Sequence, residues 1–482
     1  SNGGLAANYT LTGGTHQLTV NQRPLNATIQ RFYDGGLNAE GSDLSTFDAL
    51  QGGETLFLSG TGTVTNKNVS SNQSVTLGTV ALSDTGATGD TANYSLNSAK
   101  LNIVRRPIST VYLTKLYDAS TTVQASDLQT MSNLVGSETL TLTGTSTISD
   151  ANVGTKTVNT GGFTLNDQAG ANASSGGLAS NYILSGGTHQ LIINQRPLNA
   201  TLVRQYDGTT TAAGSTLSSF DALQGGETLT LSGSGTAAND NVANGISVSS
   251  LGTLALVNGT GAASNYSLNS AVINVTQRVL NSSGSKIYDA NTNALAGAIT
   301  LSNLVSGEAL NHSGTATISS ANVASYTITN LAGISIADGS GGAASNYTLT
   351  GGTHNFTINR RVVSVQGNKT YDGNTTISAG NITSVTGTVG SQTLVISGGS
   401  GTVSAANVAT YSSSAINEGT LTLSNGANGG LASNYTLTGH ASSSFQINQR
   451  VLNSSGSRIY DGSTTASSGN LTLSNLVGSE TL

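Results

Sequence analysis

Short runs in which apolar and polar residues alternate fill the chain, and each is stopped within a few positions by glycine, serine or asparagine. Leu56-Phe57-Leu58, Leu140-Thr141-Leu142 and Leu229-Thr230-Leu231 each give way to Ser-Gly or Thr-Gly. Tyr9-Thr10-Leu11 and Tyr94-Ser95-Leu96 alternate before another turn, and Leu18-Thr19-Val20 or Leu191-Ile192-Ile193 resumes as the next strand. A period of two places alternate side chains on one face, which predicts short, half-buried strands. No capped i, i+3, i+4 apolar stripe is sustained anywhere; one short helix per unit stays compatible with the pattern. The fold class expected is all-β, or mostly β.

The pattern is copied in tandem. A Tyr-Asp-Gly triad, with Ala allowed third, recurs at Tyr33-Asp34-Gly35, Tyr117-Asp118-Ala119, Tyr206-Asp207-Gly208, Tyr288-Asp289-Ala290, Tyr371-Asp372-Gly373 and Tyr460-Asp461-Gly462, at spacings of 84, 89, 82, 83 and 89 residues. Each triad is followed by a Gly/Ser-Glu-Thr-Leu box carrying Glu54, Glu138, Glu227, Glu308 or Glu480, with Ala309 in place of Thr in the fourth unit and Gln392 in place of Glu in the fifth. Next come Asn-Val at Asn68, Asn152, Asn241, Asn322 and Asn407, and Asn-Tyr at Tyr94, Tyr182, Tyr266, Tyr347 and Tyr435, with a further copy at Tyr9. An Arg closes each unit, at Arg23, Arg106, Arg196, Arg278, Arg361 and Arg450. A constant order at a nearly constant period means one structural module repeated.

The joint falls directly after that Arg, where Pro24, Pro107 and Pro197 alternate with Val279, Val362 and Val451. A position open to both Pro and Val is extended and needs no backbone donor. The expected organisation is a partial unit at 1–23, full repeats at 24–106, 107–196, 197–278, 279–361 and 362–450, and a partial unit at 451–482. With no long Gly/Ser linker at most joints, the modules are expected to abut in an elongated rod. The chain reads as a window from a longer protein.

Composition narrows the class. No Cys excludes disulfide staples and thiolate metal sites, while 36% hydrophobic content with only 8% charge is enough for small cores. Six Arg at the joints and six Lys or Arg before the triads make up twelve of the 17 basic residues, so no basic footprint for nucleic acid remains. No apolar run of 18 residues is present, so no membrane insertion is expected.

The recurring side chains invite structural roles. Asp after Tyr suits a tight turn, and Ala119 and Ala290 in the Gly place suggest a type I turn without positive φ. Arg31, Lys115, Arg204, Lys286, Lys369 and Arg458 stand two residues before each Tyr and share its face of the strand, where their stems can lie along the ring. The box Glu is a candidate partner for that cation, worth little if exposed; Gln392 then breaks the pair without compensation. Tyr206 and its counterparts are expected to help close their own modules. His16, His189 and His354 share a Gly-Gly-Thr-His position that reads as a strand start rather than a metal ligand, and no HExxH, P-loop or calcium-loop spacing occurs. No enzyme activity, cofactor or metal is expected. Asn8, Asn93, Asn265, Asn346 and Asn434 begin Asn-Tyr-Thr or Asn-Tyr-Ser, the acceptor pattern for an N-linked sugar, although a turn-capping Asn beside a core Tyr accounts for them more simply.

The order Asn-Tyr-x-Leu, Gln-Arg-Pro-Leu, Lys/Arg-x-Tyr-Asp-Gly, Gly-x-Glu-Thr-Leu resembles the YDG domain repeats of large filamentous-haemagglutinin-like bacterial exoproteins and surface adhesins, over essentially the whole chain. That resemblance implies an extracellular, cell-surface stalk with no catalytic residues to transfer. The expected function is a structural repeat segment of a secreted adhesin or matrix protein. The alternatives are a self-assembling extracellular filament and direct binding of glycans or surfaces by the repeats. Expected partners are neighbouring repeats or other copies, and a surface or glycan ligand reached through regions outside this window.

Overall fold

The computed structural model describes residues 3–168, 176–328 and 331–482. The chain is nearly all β, and its strands repeat with the sequence motifs. In the first repeat, Arg23–Phe32 runs between Leu44–Phe47, antiparallel to it, and Tyr94–Val104, parallel to it; Ser70–Ser74 adds to the far side of Tyr94–Val104. The opening and closing strands of one repeat therefore pair directly, from Arg23 opposite Tyr94 to Phe32 opposite Val104. A parallel pair needs a long connection, and here the body of the repeat supplies it. The second repeat has the same order, Leu128–Met131, Val111–Leu116, Gln190–Asn194, Gly154–Thr157, and so do the fourth and fifth. Beside this sheet stands a smaller one, such as Thr122–Gln124, Leu140–Thr147, Phe163–Asp167 in the second repeat.

Alternation drives burial. Along Arg23–Phe32 the side chains of Leu25, Ala27, Ile29 and Arg31 are buried, and Tyr33 continues the same face, while Phe32 points outward at 57% exposure. The cation and the triad tyrosine thus share a face, as residues two apart in a strand must.

In place of one helix per repeat, the described residues carry single 3-10 turns. One precedes each closing strand, at Thr91–Asn93, Ala179–Asn181, Ala263–Asn265, Ala344–Asn346 and Ala432–Asn434. An Asp or Asn upstream accepts the backbone N–H that opens four of these turns: Asp167 from Ala179, Asn258 from Ala263, Asp338 from Ala344 and Asn425 from Ala432. With Ser, Asn and Gly around it, one hydrogen-bonded turn has nothing to propagate it.

The chain divides into two compact units, one of Ser1–Thr201, Ala213–Gly235 and Leu251–Ala271, the other of Leu202–Ala212, Thr236–Ser250 and Val272–Leu482. The division passes through the third repeat, so every joint between successive repeats lies within one unit. In the first unit the core does not stop at a joint. It runs from Ile29, Tyr33 and Ile103 through Ile108, Val111, Tyr117 and Leu191 to Leu198, Leu229 and Tyr266. In the second, one cluster joins Tyr288, Phe356 and Ile358 to Val363, Val365 and Tyr435.

Candidate functional site: the joint between repeats

The triad begins where the opening strand ends. Asp34 turns back to accept the N–H of Gly36 at 2.9 Å, and Asp118, Asp207, Asp289, Asp372 and Asp461 do the same two residues on. The same carboxylate takes the cation three residues before it: Lys115 at 2.9 Å, Lys286 at 2.8 Å, Lys369 at 2.8 Å and Arg458 at 3.0 Å, with Arg31 and Arg204 likewise paired to Asp34 and Asp207. The cation therefore belongs to the triad Asp and not to the box Glu, which corrects the pairing expected from sequence. Lys115 also donates to the carbonyls of Ser120 and Thr122, so one ammonium binds the whole turn.

The third triad position is left-handed in all six copies. Gly35, Gly208, Gly373 and Gly462 have φ between 72° and 77°, and Ala119 and Ala290 have φ of 58° and 63°. The type I turn inferred from those two alanines is thus overturned: they occupy a glycine conformation at a steric cost.

The turn aims the tyrosine at the next repeat. Tyr33 donates to Glu138 Oε1 at 2.6 Å, 105 residues downstream, and Tyr182 donates to Glu138 Oε2 at 2.5 Å. The two rings meet edge to face at 5.5 Å, and the Tyr182 hydroxyl also accepts the Val135 N–H at 3.0 Å. Tyr117 and Tyr266 share Glu227 at 2.6 Å each, and Tyr206 and Tyr347 share Glu308 at 2.6 Å each. At the fourth joint Gln392 does the same work: its Oε1 accepts from Tyr435 and its Nε2 donates to the Tyr288 hydroxyl at 3.0 Å. The amide, donor and acceptor in one group, compensates for the lost carboxylate. Tyr206 accordingly closes the joint with the following repeat rather than its own module.

Burial and the shared carboxylate hold these phenols neutral. Desolvation first, and the Glu hydrogen bond second, push Tyr33, Tyr117, Tyr206, Tyr266 and Tyr347 up to about 12 from 10.0, and Tyr182 upward too.

The remaining motif residues meet at the same place. Asn181 accepts the Val69 N–H at 2.9 Å and donates to Asn68 Oδ1 at 3.0 Å, so the Asn of one repeat's Asn-Tyr grips the Asn-Val of the repeat before it. Asn265 with Asn152, Asn346 with Asn241 and Asn434 with Asn322 repeat that contact. Arg106 reaches the Tyr33 carbonyl at 3.3 Å and Asn133 Oδ1 at 2.6 Å, and Asn133, at φ 71°, returns a bond to the Pro107 carbonyl. Arg278 uses Tyr206 and Asn303 in the same way, and Arg450 uses Tyr371 and Asn475.

Those contacts bear on the sequons. Asn265, Asn346 and Asn434 are 0–1% exposed with both amide atoms engaged, so a sugar there would open the joint. Asn8 and Asn93 are exposed. His189 and His354 are buried caps. His189 Nδ1 accepts the Val111 N–H at 3.1 Å and its other nitrogen meets the Leu184 carbonyl; His354 spans Ser282 and the Leu349 carbonyl. His16, in the same sequence position, is exposed and faces the Leu11 carbonyl. Among the described residues no group of three or more His, Cys, Asp and Glu could hold a metal ion.

The YDG domain model matches five consecutive stretches, residues 15–101, 105–189, 194–273, 273–354 and 357–444. The chain belongs to the YDG domain family. Its YDG repeats stand in tandem, and the Tyr and Asp of the name are the residues that aim one repeat at the next. No curated protein matches the chain. Sequence reasoning missed the joint because it sought partners within a single YDG repeat, whereas Tyr33 and Glu138 lie farther apart than one period. The recurrence of Asn133, Asn303 and Asn475 was a signal that could have been read.

Proposed function

We propose that these YDG repeats are a non-catalytic structural segment of a large secreted bacterial protein, exposed at the cell surface, where they carry other regions outward. One observation supports this reading above the others: the recurring Tyr, Glu, Asn and Arg side chains are used in gripping the adjacent repeat, and the recurring Asp and Lys or Arg in closing the turn. A motif kept for ligand recognition would present those groups to solvent. The five modules at 24–106, 107–196, 197–278, 279–361 and 362–450 then act as successive spacers.

Immunogold labelling of producing cells with an antibody to the repeats, combined with small-angle scattering of the purified chain, tests the proposal. Labelled projections outside the cell and a monomer at all concentrations are expected. Intracellular label would overturn the location. Specific retention of the purified repeats on a glycan array would favour direct recognition, and concentration-dependent fibres would favour the filament.

A further inference from the structure

The joint tyrosines form four close, buried pairs: Tyr33 with Tyr182, Tyr117 with Tyr266, Tyr206 with Tyr347 and Tyr288 with Tyr435. Ring centroids are 5.2–5.5 Å apart with interplanar angles of 77–79°. In the first three pairs both hydroxyls point at one carboxylate, which brings the hydroxyl-bearing edges of the rings together. The chain has no Cys and no Trp and only one Met, so tyrosine is its main side chain open to one-electron oxidation. No disulfide can secure these joints.

We propose that the pairs are sites of oxidative cross-linking, in which the two tyrosines couple to dityrosine and weld consecutive repeats covalently, with the box Glu of the first three joints as the proton acceptor. Each phenol loses one electron to an oxidant of the peroxide class, acting through a peroxidase, and the carboxylate takes the two hydroxyl protons one at a time, releasing the first to solvent before it accepts the second. The two phenoxyl radicals join through a ring carbon ortho to each hydroxyl, forming one C–C bond. The two ortho C–H bonds then break, and their protons restore the hydroxyls. The pair has given up two electrons and two protons, which reduce one peroxide to two waters. Proton loss to a neighbour that is already hydrogen-bonded spares the buried site an uncompensated charge.

The fourth joint is a built-in comparison. Tyr288 and Tyr435 have the same ring geometry, but Gln392 cannot take a proton. Among the described residues, Tyr94 and Tyr371 each bond a Glu without a second tyrosine ring in contact.

The full chain is oxidised with light, a ruthenium tris-bipyridine sensitiser and persulfate, then digested and sequenced by mass spectrometry. Expected products are linked peptides, two hydrogens lighter than the sum of their parts, joining Tyr33 to Tyr182, Tyr117 to Tyr266 and Tyr206 to Tyr347. The Tyr288–Tyr435 link should be several-fold less abundant, and Gln392→Glu, which restores the residue of the other joints, should raise it to their level. Links confined to exposed tyrosines such as Tyr9 and Tyr460, or links only between chains, would overturn the proposal. Equal yields at all four joints, unmoved by Gln392→Glu, would overturn the carboxylate's part in it.

Discussion

At the scale of the residue, the joint is an exercise in satisfying buried polar groups. Glu138 is a two-oxygen acceptor between two phenols, and removing it leaves both hydroxyls short of an acceptor in a packed site. Glu138→Ala is expected to cost about 2–4 kcal/mol, whereas Glu138→Gln, the arrangement the fourth joint already uses, should cost about 1 kcal/mol or less. Chemical denaturation of the two variants beside the parent checks that ranking. The triad's third position gives a prediction of opposite sign. Relief of left-handed strain outweighs the extra chain entropy of glycine, so Ala119→Gly should stabilise by about 0.5–1 kcal/mol. Gly208→Ala should destabilise by about 1–3 kcal/mol, because its Cβ would sit 2.8 Å from Val305 Cγ1 as well as straining the backbone. Thermal melts of both variants should move in opposite directions.

At the scale of the element, the sequence shows the strands plainly and the joint hardly at all. Alternation in Arg23–Phe32 and Tyr94–Val104 is a local signal, and the period-two face that holds Leu25, Ala27, Ile29 and Tyr33 follows from it directly. The parallel pairing of those two strands, and the meeting of Tyr33 with Glu138, depend on contacts across most of a repeat or more, which no local pattern encodes. The positive φ of Ala119 was hidden for a related reason: an alanine there reports that the strain is tolerated, not that it is absent. The joint also sets a response to alkali. The folded state holds the phenols of Tyr33, Tyr117 and Tyr206 at about 12 against an ordinary 10.0, so it favours their neutral form. That stabilisation is complete below pH 10 and is lost as pH rises toward 12, where a phenolate would face the Glu carboxylate. When circular dichroism and tyrosinate absorbance are followed together through alkaline titration, the last part of the absorbance change, from the buried joint phenols, should coincide with unfolding. Complete ionisation of the tyrosines well before unfolding would contradict the buried pairs.

At the scale of the whole molecule, the YDG repeats are coupled in series. Each repeat supplies the triad Tyr and the Asn-Val pair on its downstream side, and the box Glu, the 3-10 turn Asn and its Tyr on its upstream side. Stability in such an array is the sum of module terms and nearest-neighbour terms, and here the motif residues carry the neighbour term. A lesion at one joint should therefore loosen two repeats at once. The most direct test is native-state hydrogen exchange of the full chain carrying Glu308→Ala. The box Glu lies in the fourth repeat, but its partner Tyr206 lies in the third. Faster exchange should appear both around Tyr347 and around Tyr206, whose own N–H is bonded to Thr276. Loss of protection confined to the fourth repeat, with the segment around Tyr206 unchanged, would contradict the account.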